Sequence, residues 1–372
     1  MKKRLLAMVT ATVMALSLVA CGGSGGSSGG SASTTAAPAE SSTAAAETST
    51  PAEAPADSGD FKVCIITDVG GVNDQSFNQS AWEGAQRAAS ELGITANYLE
   101  SKTDSDYTPN IETAIDEGYD LIICVGYMLA DATRTAAEAH PDQKFAIIDD
   151  STNSDLSNVT CLMFEQCQCS YLVGYLAGKM TESNTVGFVL GMAFDTMHEF
   201  GYGYVAGVLD ANPDAKILQA NANNFGDSAV GKTLSGTMIS QQADVIYHAA
   251  GGTGLGVIEA CQEAGIWAIG VDSDQSHIAP GTVLSSAMKR VDNAVFDISK
   301  LTLEGSFPGG VKTYSLENAG VDIAPTTDNI PAELLAEIEQ VKADIISGTI
   351  SVPKNKAEFE AAHGAGIYEL AD

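Results

Sequence analysis

Three stretches of the chain could do chemistry by residue type and spacing alone. Gly226-Asp227-Ser228-Ala229-Val230-Gly231-Lys232-Thr233 fits a phosphate-cradling loop, in which backbone amides surround the phosphates and lysine reaches the outer groups. Gly252-x-Gly254-x-Gly256, with Asp272 further on, imitates a dinucleotide fingerprint. Cys167-x-Cys169 offers two thiolates to a metal. Each fails on context. Asn221, Asn223 and Asn224 make a poor strand end ahead of Gly226, and an export signal (below) would take the chain where ATP and GTP are scarce. The third glycine of a dinucleotide loop belongs at position 257, which is Val257. The two cysteines stand too close for the usual zinc pairs, and His140, His198, His248, His277 and His363 are scattered at no ligand spacing. No Gly-x-Ser-x-Gly elbow lies among the strand and helix patterns. These readings predict no enzyme, no metal and no cofactor.

What remains is a set of carboxylates and glycines at the ends of short apolar runs. The runs are Phe61–Thr67, Asp120–Gly126, Lys144–Asp149, Thr185–Leu190, Ala243–Ala249 and Ile266–Val271. Several are apolar almost throughout, as strands buried on both faces must be. Between them lie helical patterns over Ser80–Leu92, Pro109–Glu117, Asp131–Ala139 and Leu255–Ala264. Alternating strand and helix predicts an α/β fold with parallel sheets wound on both sides. Asp68, Gly126, Asp149-Asp150, Gly191, Gly251-Gly252 and Asp272 fall where strands end. Open parallel sheets bind ligands there. No internal sequence repeat stands out.

Length and charge narrow the choice. The 372 residues exceed one ordinary core and suggest two lobes, 59–166 with 273–300 and 167–272 with 301–372. The formal net charge is -30, and removal of residues 1–20 would take away Lys2, Lys3 and Arg4 as well. So acidic a chain argues against nucleic acid as a partner, since phosphates need Lys and Arg. Cys64 and Cys124 lie in apolar runs and read as small core residues. A disulfide between some pair of the later cysteines stays open.

The N-terminus reads as an address. Behind the three cations runs Leu5 to Ala20, apolar but for Thr10, Thr12 and Ser17, and too short to span a bilayer comfortably. This predicts a signal peptide over residues 1–20. It ends Leu18-Val19-Ala20-Cys21, which resembles a bacterial lipobox with Cys21 as the acylated residue; two or three acyl chains anchor a protein stably. Residues 21–58 are Gly, Ser, Ala, Thr, Pro and acidic residues without an aromatic, and predict a tether that folds no core.

The segment from Asp68 to Gly84, which includes Gly70-Gly71, Asn73-Asp74, Ser76-Phe77-Asn78 and Trp82, is the most distinctive in the chain. With it the sequence resembles the basic membrane protein (Bmp) family of lipoproteins, whose best-understood members are purine nucleoside receptors. Weaker matches follow in the family's order: Lys102–Pro109, Tyr171–Gly178, Gly251–Gly254, Gly270–Gln275 and Ser286–Lys289. The resemblance implies a type I periplasmic-binding-protein fold, with two doubly wound lobes, a three-segment hinge and a nucleoside between the lobes. It implies ABC permease and ATPase subunits as partners, a monomer, attachment to the outer face of the cell membrane through lipid only, and a ligand released unchanged. By match, Phe77 and Phe225 would be aromatic plates around the base, Asp68 would bond the base or nearby sugar, and Asp272 and Lys289 would hold the ribose hydroxyls. Gly251 and Gly252 would admit close backbone approach. The Gly226–Thr233 segment then becomes part of the loop carrying the second plate. Asn73, Asp74 and Asn78 could equally cap a helix, and Asp131 could reach ligand or cap the next helix. Trp82 and Met163 read as packing residues. A receptor of the same fold for a sugar or another small signal is the alternative.

Overall fold

The computed structural model describes residues 60–370; the expected signal peptide, Cys21 and tether lie outside them. The chain first lays down β1 (Lys62–Ile66), α1 (Phe77–Leu92), β2 (Thr95–Leu99), α2 (Tyr107–Asp116), β3 (Leu121–Cys124), α3 (Ala130–Ala139), β4 (Lys144–Ile148) and β5 (Val159–Phe164). It then builds a second layer set from α4 (Gln166–Met180), β6 (Thr185–Leu190), α5 (Asp195–Ala211), β7 (Lys216–Asn221), α6 (Ser228–Ser240), β8 (Val245–Ala249), α7 (Thr253–Ala264), β9 (Trp267–Asp272) and β10 (Val283–Lys289). It returns through α8 (Val291–Leu303) to β11 (Gly310–Tyr314), and crosses again to β12 (Val321–Ile323), α9 (Ala332–Ile346) and α10 (Lys356–His363).

The strand orders are β11-β5-β4-β3-β1-β2 and β12-β10-β9-β8-β6-β7. Matching β1–β5 to β6–β10 makes the two orders identical, so a repeat invisible in the sequence is present in the topology. All pairings are parallel except β10 with β12. The central strands β3, β6 and β8 are buried along their whole length, whereas the edge strands β2, β7 and β11 are half exposed. That division follows from helices covering both faces of a parallel sheet. The expected α/β fold of two doubly wound lobes is what the structure shows.

The chain passes between sheets three times: after β5, after β10 and after β11. The lobe boundaries differ from those expected. Residues up to 289 stay with the second sheet because β10 pairs with β9, Ser286 opposite Gly270. Residues 310–314 join the first because β11 pairs with β5. Helix α8 packs on α1 so closely that a Cβ on Gly84 would lie 2.4 Å from the Asp292 carbonyl oxygen.

Helices α4 and α5 cross on glycine. A Cβ on Gly174 would lie 2.2 Å from the carbonyl oxygen of Tyr204, and one on Gly207 would lie 2.1 Å from that of Tyr171. Real Cβ atoms do not approach backbone oxygen so closely, so glycine is required for the two backbones to touch. Gly207→Ala should force the helices apart and lower stability by about 2 kcal/mol, read as a fall in urea midpoint with an unaltered m-value. An unaltered midpoint would show that the crossing relaxes freely.

Candidate functional site

Between the two sheets lies a partly open cavity, with about 500 Å³ of space not filled by atoms when the solvent at its mouth is included. Most of its wall comes from strand ends and the turns that follow them: Asp68 and Gly70 after β1, Gly126 and Tyr127 after β3, Asp149 after β4, Gly251 after β8, Asp272 ending β9 and Lys289 ending β10. Phe77 opens α1, Met197 and Phe200 come from α5, and Phe225 from the loop after β7. Carboxyl ends of parallel strands therefore converge from both halves, as open α/β sheets place their ligand sites.

The loop from Asp68 to Asn78 is organised by its own side chains. The Asp74 carboxylate accepts from the amides of Ser76 (2.9 Å), Asn78 (2.9 Å) and Gln79 (3.0 Å), which satisfies the otherwise unpaired amides at the start of α1. Asn78 Nδ2 donates to Asp74 (3.1 Å) and to Asp68 Oδ1 (2.7 Å), while its Oδ1 accepts from the Asp68 amide (3.1 Å). The Gly70 amide also donates to Asp68 Oδ1 at 2.8 Å. The open choice for Asp74 and Asn78 thus resolves toward capping and loop order, although both also line the cavity. Gly126 has φ +106, while a Cβ there would only touch Asp68 and Phe77 at ordinary contact distance, so it is the backbone that calls for glycine. Only glycine adopts such a turn without cost.

Two carboxylates occupy equivalent places in the two halves. Asp149 follows β4 with φ +65, and Asp272 ends β9 with φ +64. Left-handed backbone is uncommon for any residue with a side chain, though aspartate tolerates it better than most. Both are buried. The Asp272 carboxylate accepts from Ser76 Oγ across the two halves. Asp149 accepts from Lys289 Nζ through Oδ2, while its Oδ1 is buried with no protein partner. Lys289 is only 1% exposed, and its ammonium lies 4.9 Å from the ring centre of Phe77, 5.1 Å from Phe164 and 5.4 Å from Phe200. Lys289 was expected to hold the ribose hydroxyls together with Asp272; its direct partner within the protein is Asp149. Aromatic faces and one carboxylate together offset the desolvation of the ammonium.

The cavity is thus richer in carboxylates than in cations: Asp68, Asp74, Asp149 and Asp272 face one lysine. Burial pushes the Asp68 carboxyl up to about 6, against the hydrogen bonds from Asn78 and Gly70. Burial likewise pushes Asp272 up to about 7, with Lys289 and Ser76 opposing and Asp74 and Asp149 adding. Asp149 is also raised by burial, against the pull of Lys289. A ligand that donates hydrogen bonds relieves this arrangement, and an anion aggravates it.

Of the residues expected from sequence, Asp68, Asp74, Phe77, Asn78, Gly126, Phe225, Gly251, Asp272 and Lys289 line the cavity. Gly252 does not; it begins α7, where a Cβ would meet the Phe225 carbonyl oxygen at 3.3 Å, so it backs the Phe225 loop. Asn73 and Asp131 are exposed and off the cavity wall. Asn73 sits in a loop whose polar contacts are taken by Asp74 and Asn78, and Asp131 in the first turn of α3 points its charge to solvent. Sequence reasoning set Asp149 at a strand end without giving it a role, and passed over Tyr127, Met197 and Phe200. Asp149 carried the same signal as Asp68 and Asp272, a carboxylate closing an apolar run. The other three carried none, because they look like ordinary core residues.

The phosphate-loop pattern is occupied by its own aspartate. Asp227 caps α6, accepting from the amides of Ala229 (3.0 Å) and Val230 (3.3 Å), where a phosphate would have to sit. Lys232 pairs on the surface with Glu259 (2.8 Å) and Glu263 (2.9 Å). The six cysteines of the described residues are buried and unpaired. No cluster among the described residues could hold a metal ion, and no helix among them is long and apolar enough to cross a membrane.

A family model described as ABC transporter substrate-binding protein PnrA-like (Bmp) matches residues 61–356. The chain is 41% identical over 319 residues to a CD4+ T-cell-stimulating antigen of Listeria innocua, covering 80% of this chain and 89% of that one. It is 40% identical over 316 residues to a protein of Lactococcus lactis subsp. cremoris named ABC transporter nucleoside-binding protein BmpA, covering 79% and 89%. Among solved structures, an ABC transporter solute-binding protein from Aeropyrum pernix K1 superposes with TM-score 0.75 at 28% identity, covering 82% of this chain and 98% of that one.

Proposed function

Since the chain belongs to the PnrA-like (Bmp) family of ABC transporter substrate-binding proteins, we propose that it captures a nucleoside, a purine nucleoside above all, in the cavity between its halves and hands it unchanged to a permease. The observation that carries this reading is the pairing of aromatic faces with an excess of acceptors in one cavity. Phe77 and Phe225 both present rings to the cavity. Stacking on such rings is worth about 1–3 kcal/mol per base. A ribose and a base edge bring hydroxyl and N–H donors, which Asp68, Asp272 and the free Oδ1 of Asp149 are placed to accept. Charge-assisted bonds of this kind are roughly twice as strong as neutral ones. A phosphorylated ligand would bring negative charge to a wall whose one lysine is already paired.

The proposal includes cleavage before Cys21, lipid attachment there, and residues 22–58 as the leash that holds the folded part outside the membrane. A single copy of the chain would dock on the outward face of a permease whose ATPase subunits lie across that membrane.

Calorimetric titration with inosine, guanosine, adenosine, cytidine, uridine, free bases and ribose tests the reading. Tight binding of a nucleoside, with little binding of base or ribose alone, is expected. Binding of a sugar alone would move the assignment to a sugar receptor, and silence across the panel would remove it. Phe77→Ala should weaken nucleoside binding at least about tenfold through lost stacking while leaving the fold intact; equal affinity would take Phe77 out of the site.

A further inference from the structure

Gln275 is completely buried and uses every polar atom of its side chain. Its Oε1 accepts from the Val271 amide at 3.0 Å and lies 3.1 Å from Nε2 of His248, itself fully buried on β8. Its backbone N–H donates to Ser286 Oγ at 3.1 Å. These bonds fix the residue to three neighbouring strands of the second sheet. The remaining group, Nε2, reaches out of that half and donates to the backbone carbonyl of Gln75 at 2.9 Å. Ser273 Oγ donates to the same carbonyl at 3.2 Å. Gln75 has φ +56, a left-handed backbone that turns its carbonyl toward this pair. The next residue is Ser76, whose hydroxyl donates to Asp272, and the next is Phe77, which lines the cavity. One carbonyl of the first half is therefore gripped by two donors of the second, immediately beside the site.

We propose that Gln275 is a positioning residue that sets how much of the protein has its two halves closed, by holding the Gln75 carbonyl and with it the start of α1. Its effect on ligand residence rests on the nucleoside reading above; its effect on closure does not. Because its Oε1 is already spent on Val271 and His248, the amide cannot turn over to present oxygen to Gln75. The donor is preset before the halves meet. The grip is on main chain; the Gln75 side chain makes a separate contact with the second half, its Oε1 3.4 Å from Nε2 of His277.

The test places spin labels at Asp142→Cys in the first half and Gln241→Cys in the second, both exposed, on the full-length Cys21→Ser chain, whose other cysteines are buried. Distances are measured without ligand and with inosine. Gln275→Met, of similar length but unable to donate, is expected to lower the closed-to-open ratio roughly five- to tenfold, the equivalent of one or so buried hydrogen bonds. Ser273→Ala should move it the same way by less. Inosine should dissociate faster from Gln275→Met by a similar factor. Identical distance distributions for wild type and Gln275→Met without ligand would overturn the proposal, as would a lower melting temperature with unaltered distances. Should Gln275→Met not fold, unaltered distances in Ser273→Ala overturn it instead. A shift in distances with no response to any nucleoside would sink the ligand assignment and leave the role of Gln275 standing.

Discussion

Lys289→Met is expected to cost about 3–5 kcal/mol of stability, because it leaves Asp149 buried beside no cation, and to abolish measurable ligand capture. Methionine is the severe test of charge, since it fills nearly the same volume and its sulfur suits the rings of Phe77, Phe164 and Phe200. Packing is thereby kept while the ammonium is removed. Asp149, already raised by burial with Lys289 as its chief relief, would then be driven further toward the neutral acid. The double variant Lys289→Met with Asp149→Asn should recover most of the lost stability, because no uncompensated charge is left, but none of the binding. Urea unfolding and calorimetric titration of wild type, single and double variants form the measurement. If the single variant loses less than about 1 kcal/mol, the scale of an exposed ion pair, water or a neighbour must be neutralising Asp149 and the account of the ion pair fails.

The second large effect is on pH, and it runs in opposite directions for the empty and the loaded protein. Asp68 and Asp272 are raised in the folded state to about 6 and about 7 from an ordinary 3.8. A carboxyl raised by folding binds protons more tightly when folded, so acid stabilises the empty protein. This contribution is complete below the unfolded value and is lost as pH rises through the folded one. For Asp68 it amounts to about 3 kcal/mol, from a shift of about two units. Unliganded protein should therefore gain stability from pH 8 down to about pH 4.5. Ligand donors prefer the ionised carboxylates, so affinity should move the other way. At pH 5 only about a tenth of Asp68 would be ionised, and less of Asp272, which predicts a loss of roughly one to three orders of magnitude in affinity against pH 8. Titrations at pH 5, 6, 7 and 8, with melting curves of the empty protein at each, measure both trends. Affinity independent of pH would mean that neither carboxylate accepts from the ligand in its charged form.

The sequence made the frame of the site legible and left its closing contacts obscure. The central strands could be read because burial on both faces writes an unbroken apolar run, as in Leu121–Cys124 and Thr185–Leu190. The edge strands could not. Thr95–Leu99 and Lys216–Asn221 are half exposed and carry the mixed residues that exposure permits. Val283–Lys289 was hidden for another reason: Ser285 and Ser286 stand in a fully internal strand, where small polar residues fit beside Gly270. That omission misplaced the second boundary between the halves. Asp68, Asp272 and Lys289 were found by their family pattern. Ion-pair choice was not, because Asp149 and Lys289 lie far apart in the chain and meet only when the halves come together. Phe200 and Met197 were lost among the apolar and glycine residues of α5, which is buried nearly all round.

The three passages of the chain between the sheets also set an order on its birth. Strand β5 ends at Phe164, but β11, which covers its outer edge, does not begin until Gly310. Every residue of β6 to β10 emerges from the ribosome in that interval. The first sheet must wait with an open edge while the second is made, and contacts so distant in sequence form slowly. Neither half can be completed before the other is largely present. A chain wired in this way resists finishing its fold early, which is the condition a polypeptide must meet if it is to be threaded unfolded through a membrane before it begins to work.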